Sequence, residues 1–375
     1  MKKLLIILVA LFSLAAVRQF STQILVTQPD GTLVKLILRD PAPLPNPPPG
    51  SGGGVIAMPP STQFEINGGA LMTPMPGFST LRVQPTAEIP HSDPNHGAFR
   101  INCQSSHQGF YDPIVYPGQP GRSHLHQFFG NTAINPDSTN ATLAATGNST
   151  CTGGIMNRSG YWIPAMIDIT TGFPVTPTGN LVYYKTDFTF YFGAARVASI
   201  TTPPVGLRMI AGSAANSSLT AGIGVYKWEC WVNSVSIGGS QSIPGTSCPN
   251  NGEVVLLLNF PMCWDGVNLD STDHQSHMAY PSAATGCPGT HPVVIPHISY
   301  NIHYAVKSTS RPENWRLSSD VYSLGLPAGL SAHGDWMNGW RVDATDDYLN
   351  VIVTNCVKAL KDCGASLLGD GRLIF

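Results

Sequence analysis

Charged side chains are scarce in this chain: Asp, Glu, Lys and Arg together make up 11% of its 375 residues. The 20 basic and 22 acidic residues form no Lys/Arg cluster able to neutralise a phosphate backbone, which makes nucleic acid a poor partner. No Ser-centred nucleophile elbow, phosphate-cradling glycine loop or dinucleotide fingerprint occurs, so acyl transfer, nucleotide hydrolysis and hydride chemistry are disfavoured. The eight cysteines include no Cys-x-x-Cys pair of the zinc or thioredoxin kind. No internal repeat of fixed period is found.

The apolar stretch Leu4 to Val17 falls short of the roughly 20 residues of a comfortable membrane span. Lys2 and Lys3 precede it and polar residues follow from Arg18, with Ser13 and Ala15 as small residues near its end. That order is expected of an export signal over residues 1–22, with a retained N-terminal anchor as the alternative; any membrane contact is expected through this segment alone. Either way the remainder faces the outside of a cytoplasmic membrane, secreted or in the cell envelope. An even number of cysteines agrees with an oxidising compartment, and neighbours in sequence make Cys230 with Cys248 and Cys263 with Cys287 the expected pairs. Cys356 and Cys363 cannot bridge if both lie in one regular helix, because seven residues at about 1.5 Å each exceed the reach of the bond.

Residues 23–40 alternate apolar and polar around Pro29-Asp30-Gly31, a hairpin pattern. Residues 41–60 are rich in Pro, Gly and Ser and read as a linker, which leaves 61–375 as the globular domain. There, β-rich segments (Leu181 to Phe192, Gly206 to Ile210, Val254 to Phe260, Val293 to Val306) recur between turns supplied by a chain with 32 prolines and 38 glycines. The expected fold is all-β, a β-sandwich or jelly-roll-like domain with long loops. One C-terminal helix is expected from Asp343 toward Leu360, since Leu349, Ile352, Val353, Cys356, Val357 and Leu360 share a face.

Three segments carry candidate chemistry. In the first, His124 and His126 stand two apart, so a strand would place both imidazoles on one face, as a metal or a shared anionic substrate requires. The second, Cys263 to Pro281, gathers Asp265, Asp270, Asp273, His274 and His277; a loop built on Asx-turns would account for the same residues. The third places His333 and Asp335 beside Trp336 and Trp340, whose rings suit the apolar face of a sugar or, equally, a protein core.

Several ordered blocks join these segments: Asp112-Pro-Ile-Val, His124-Leu-His, Tyr161-Trp-Ile-Pro, Gly206-Leu-Arg-Met-Ile-Ala-Gly, Phe260-Pro-Met-Cys-Trp-Asp-Gly, Leu269-Asp-Ser-Thr-Asp-His-Gln-Ser-His, Cys287-Pro-Gly-Thr-His-Pro and His333-Gly-Asp-Trp-Met-Asn-Gly-Trp. Together they resemble the DUF1996 family over roughly residues 90–358. The resemblance implies an exported protein of the secreted or envelope kind and assigns no reaction. It marks Asp112, His124, His126, Arg208, Trp264, Asp265, Asp273, His274, His277, His291, His333 and Asp335 as its polar positions.

One shared pocket is the expectation. In the enzymatic reading, a hydrolase or lyase acts on an extracellular or cell-wall glycan around a divalent metal held by His124, His126 and His277. His274, His333, Asp273 and Asp335 move or orient protons, while Asp112, Arg208, Trp264, Asp265 and Trp336 bind substrate. In the other reading the domain binds glycan or supports the envelope without catalysis, and the same side chains stabilise loops.

Overall fold

The computed structural model describes residues 71–186, 197–282, 284–320 and 326–375, together with the backbone of four strands before residue 71. The chain forms two compact units, Met1–Pro49 and Gly50–Phe375. In the first, Ser21–Thr27 pairs antiparallel with Leu33–Arg39. The expected export segment, the Pro29 to Gly31 turn and most of the expected linker lie outside the described residues; within the linker, Val55–Ile56 pairs with Ile66–Asn67.

The second unit is all-β. An eight-stranded sheet runs in the order Val235–Ser240, Tyr226–Val232, Glu253–Asn259, His297–Ala305, Gly179–Lys185, Ala98–Cys103, Lys361–Asp362, His91–Ser92. A five-stranded antiparallel sheet runs Arg208–Gly212, His333–Met337, Gly160–Pro164, His126–Gly130, Ser105–Gly109. Alternation along a strand sends successive side chains to opposite faces. Phe129, Tyr161, Ile163, Met209, Ala211 and Trp336 therefore share one face of the smaller sheet. They join a single core with Tyr184, Leu256, Leu258, Tyr300 and Ile302 of the larger sheet. Fully burying a Leu, Ile, Met or Phe among them contributes roughly 1.5–3 kcal/mol.

The opposite face of the five-stranded sheet is also covered, which is unusual for an antiparallel sheet, where one side commonly meets water. Phe128, Trp162 and Met337 pack there against Ile114 and Ile134 from the loops and Leu143 from the short helix Asn140–Ala145. All residues of His126–Gly130, Gly160–Pro164 and His333–Met337 are buried as a result. Gly334 brings the two sheets close, because a Cβ there would meet the Leu258 side chain and force it to shift.

Four disulfides lock the domain: Cys103–Cys151, Cys230–Cys248, Cys263–Cys287 and Cys356–Cys363. The two expected pairs are among them. The expected strands lie close to their predicted places, although Val293 to Val306 breaks into Val293–Val294 and His297–Ala305 around Pro296, and residues 187–192 lie outside the described residues.

The C-terminal helix is much shorter than expected. Asp343 Oδ1 accepts the N–H groups of Thr345 and Asp346 in a tight turn, so the helix starts only after Asp347, whose side chain caps Asn350 N–H. It spans Tyr348–Ile352, widens into a π turn over Val353–Val357 and stops. Ending there lets Cys363 fold back to Cys356, with a Cα separation of 5.8 Å. No helix among the described residues is long and apolar enough to cross a membrane.

Candidate metal centre

The outer face of the five-stranded sheet carries the chemistry. His126 pairs with Pro164, and Asp335 pairs with Trp162, so the start of His126–Gly130 and the start of His333–Met337 lie level across Gly160–Pro164. His126, His333 and Asp335 then point to the same side. The loop leading into His126 adds His124 and, further back, Asp112. The imidazole centroids of His124 and His126 are 4.2 Å apart, those of His124 and His333 4.9 Å, and those of His126 and His333 5.9 Å. One ligand atom from each of these three histidines lies within 4.8 Å of the others, and the same holds for Asp112, His126 and Asp335.

Hydrogen bonding fixes which nitrogens are available. The Nδ1–H of His126 donates to the Tyr111 carbonyl at 2.9 Å, and that of His333 donates to the Ser331 carbonyl at 2.7 Å. A carbonyl only accepts, so each neutral ring keeps its lone pair on Nε2. The Nε2 atoms of His124 and His126 are sealed from solvent without a partner, as are both carboxyl oxygens of Asp335. His124 is half-buried as a residue, but this nitrogen is not exposed. Asp112 is anchored differently: its Oδ1 accepts the N–H groups of Ile114 and Val115, shaping the turn that carries it over the sheet.

Burial governs the titration of all five groups. It pushes His126 and His333 down to about 4, opposed by their carbonyl partners, and His124 well below the usual imidazole range, helped by the neighbouring His126 and His333. Burial raises Asp335 well above the usual carboxylate range, with the Asp112 charge adding to it. Asp112 is also raised by burial, against the pull of the Val115 and Ile114 N–H groups and of His333. Three unprotonated nitrogens beside two carboxyl groups form a donor set suited to a divalent first-row transition metal. Because Nδ1 of His126 is already bonded, its one free nitrogen can serve a single ion, so the two overlapping triads describe one centre.

The run Cys263 to Pro281 is elsewhere. His277 Nε2 bonds the Arg208 carbonyl at 2.7 Å, and Leu269 accepts the Arg208 N–H. Arg208 pairs with Met337 at one end of the edge strand, whereas Gly212 pairs with His333 at the other. Four residues of strand separate those levels, about 13 Å at the usual rise per residue. The expectation of one pocket is corrected accordingly, and His333 stands where His277 was expected beside His124 and His126.

Within that run, Asp265 accepts the N–H groups of Val267 and Asn268, and Asp273 those of Gln275 and Ser276, which builds turns. His274 contacts Asp270 at 3.0 Å, and Asp270 pairs with Arg208 at 3.1 Å. The Trp264 indole N–H donates to the Asn268 carbonyl, and His291 Nε2 contacts the Ser276 carbonyl. Trp336, expected as a substrate platform, is fully buried between the sheets and contacts Tyr184 edge-on, where no sugar ring reaches it.

No curated protein and no solved structure matches this chain. The profile of the family described as "Domain of unknown function (DUF1996)" covers residues 112–340, more than half of the sequence and the whole of the five-residue cluster from Asp112 to Asp335. The chain belongs to the DUF1996 family.

Proposed function

We propose that this protein is an exported metal-dependent enzyme acting by hydrolysis or β-elimination on an extracellular or cell-wall glycan. The observation that carries the metal is the set of buried lone pairs without partners on His124, His126 and Asp335, with the His126 tautomer fixed by the Tyr111 carbonyl. Leaving such groups unpaired costs roughly 1–3 kcal/mol each, and a dication would satisfy them together. His124, His126 and His333 hold the ion, which supplies Lewis acidity or an activated water. Asp335, within 4.8 Å of a His126 ring nitrogen and favoured in its neutral form by burial, is the carboxyl group placed to exchange a proton beside it. Export is supported by the N-terminal Lys-then-apolar pattern and by four disulfides, which form and persist in oxidising compartments. The glycan rests on the secreted character of the family and on the lack of any nucleic-acid-binding charge.

The burial of His126 and Asp335 favours a second reading, a non-catalytic domain in which the ion ties the loop bearing Asp112 and His124 to the sheet. Metal analysis of purified protein, followed by activity assays on polysaccharides before and after chelation, separates the outcomes. About one ion per chain, lost in His126→Ala and His333→Ala and kept in His274→Ala, is expected. Protein that holds no ion after incubation with zinc, manganese or copper salts overturns the metal. A stoichiometric ion with no chelator-sensitive activity favours the second reading.

A further inference from the structure

A cleft of ≈ 600 Å³ opens at the far end of the eight-stranded sheet and is lined by Trp231, Asn233, Asn251, Glu253, Lys307 and Ser308 among others. It is well separated from the histidine cluster. Tyr300 donates to the Asp335 carbonyl from a position paired with Leu258, whereas the cleft sits where Glu253 pairs with Ala305. Five residues of strand lie between those levels, about 17 Å.

Three features give this cleft a chemistry. First, the indole of Trp231 is held before any ligand arrives. Its Nε1–H donates to Glu229 at 2.7 Å, and its ring meets His303 edge-on at 5.5 Å, with His303 itself 3.1 Å from Glu253. Second, the Cys230–Cys248 disulfide ties the strand bearing Trp231 to the loop bearing Asn251, so the opposing walls are covalently joined. Third, the remaining lining offers two amides, the hydroxyls of Ser234 and Ser308, one carboxylate and one ammonium, a balanced set of donors and acceptors with no net charge.

We infer that this cleft is a binding subsite for a neutral, hydroxyl-rich polysaccharide chain. A rigid aromatic face covers the apolar side of a sugar ring at little entropic cost, and short polar side chains around it pair with hydroxyl groups. The absence of net charge in the lining disfavours uronate or sulfated polymers. The subsite deepens the glycan part of the proposed function and is independent of the metal. It would hold a polymer on the domain while another segment reaches the histidine centre.

Affinity electrophoresis in gels containing laminarin, hydroxyethylcellulose, xyloglucan or glucomannan, with polygalacturonate as the anionic control, tests this. Retardation of the full chain by at least one neutral polymer is expected, weakened about tenfold or more in Trp231→Ala and measurably in the surface double variant Asn251→Ala/Lys307→Ala. His126→Ala should be retarded like the parent, so failure of the metal reading would leave this result standing. The inference is overturned if no neutral polymer retards the protein, if polygalacturonate alone does, or if both cleft variants bind as the parent does. Should Trp231→Ala fail to fold, the double variant decides.

Discussion

Two regions of this molecule are rich in histidine and aspartate, and they differ in what their polar atoms do. Along Cys263 to Pro281 nearly every such group is satisfied within reach of its own loop: Asp265 and Asp273 bind turn N–H groups, Asp270 joins His274 to Arg208, and His277 bonds the backbone of the edge strand. In the centre formed by Asp112, His124, His126, His333 and Asp335, lone pairs are buried with no partner. Density of titratable residues marked the first region in the sequence. Unmet hydrogen-bonding capacity marks the second, and what sets it apart from other buried atoms without a partner, such as the Asn180 amide and the Tyr304 hydroxyl, is that its ligand atoms converge within 4.8 Å of one another.

That contrast can be broken from either side. The largest effect is expected from the double variant His126→Ala/His333→Ala, which should lose bound metal and the stability linked to it. For an ion at about 1,000 times its Kd, linkage contributes roughly 4 kcal/mol, read as a fall in Tm relative to the metal-loaded parent. His277→Ala should cost less, roughly 1–3 kcal/mol in denaturant unfolding, because it strips the Arg208 carbonyl of its partner while metal content stays unchanged. A loss of metal in His277→Ala equal to that in His126→Ala would erase the distinction between the two regions.

An intermediate effect concerns pH. In chelator-treated protein, His126 and His333 have folded values of about 4, below the ordinary 6.5. Their contribution is fully present above about 6.5 and is lost as the pH falls toward 4. Asp335 and Asp112, raised by burial, act in the opposite direction and cost stability as the pH rises above the ordinary carboxylate range. The gain in Tm on adding metal should therefore be greatest at neutral pH and above, and vanish toward pH 4. A gain independent of pH contradicts this. The smallest effect is expected from Asp273→Asn, which loosens an exposed turn and should leave metal content untouched.

Much of the fold was legible in the sequence because its determinants are local. Turn residues punctuating β-rich segments pointed to an all-β domain, and sequence proximity identified Cys230 with Cys248 and Cys263 with Cys287. The C-terminal helix was overread because the apolar periodicity continues past the point where the Asp343 turn and the π turn at Val353 confine it. The centre was only half legible. His333-x-Asp335 announces a shared strand face, whereas His124 lies in the loop just before the strand that begins at His126, and nothing local states that the strands carrying His126 and His333 lie level across Gly160–Pro164. That register is set by packing between segments some 200 residues apart in this 375-residue chain, with Gly334 admitting the larger sheet. Trp336 was misassigned for a related reason: in a strand buried on both faces, alternation turns it inward while its neighbour Asp335 faces the centre.

The most direct test is an anomalous difference map from crystals of the protein grown with a stoichiometric zinc or manganese salt and recorded at the metal edge. One peak per chain is expected, enclosed by the ring nitrogens of His124, His126 and His333 beside Asp112 and Asp335. No peak at that position, or a peak instead at His274 and His277, would contradict it.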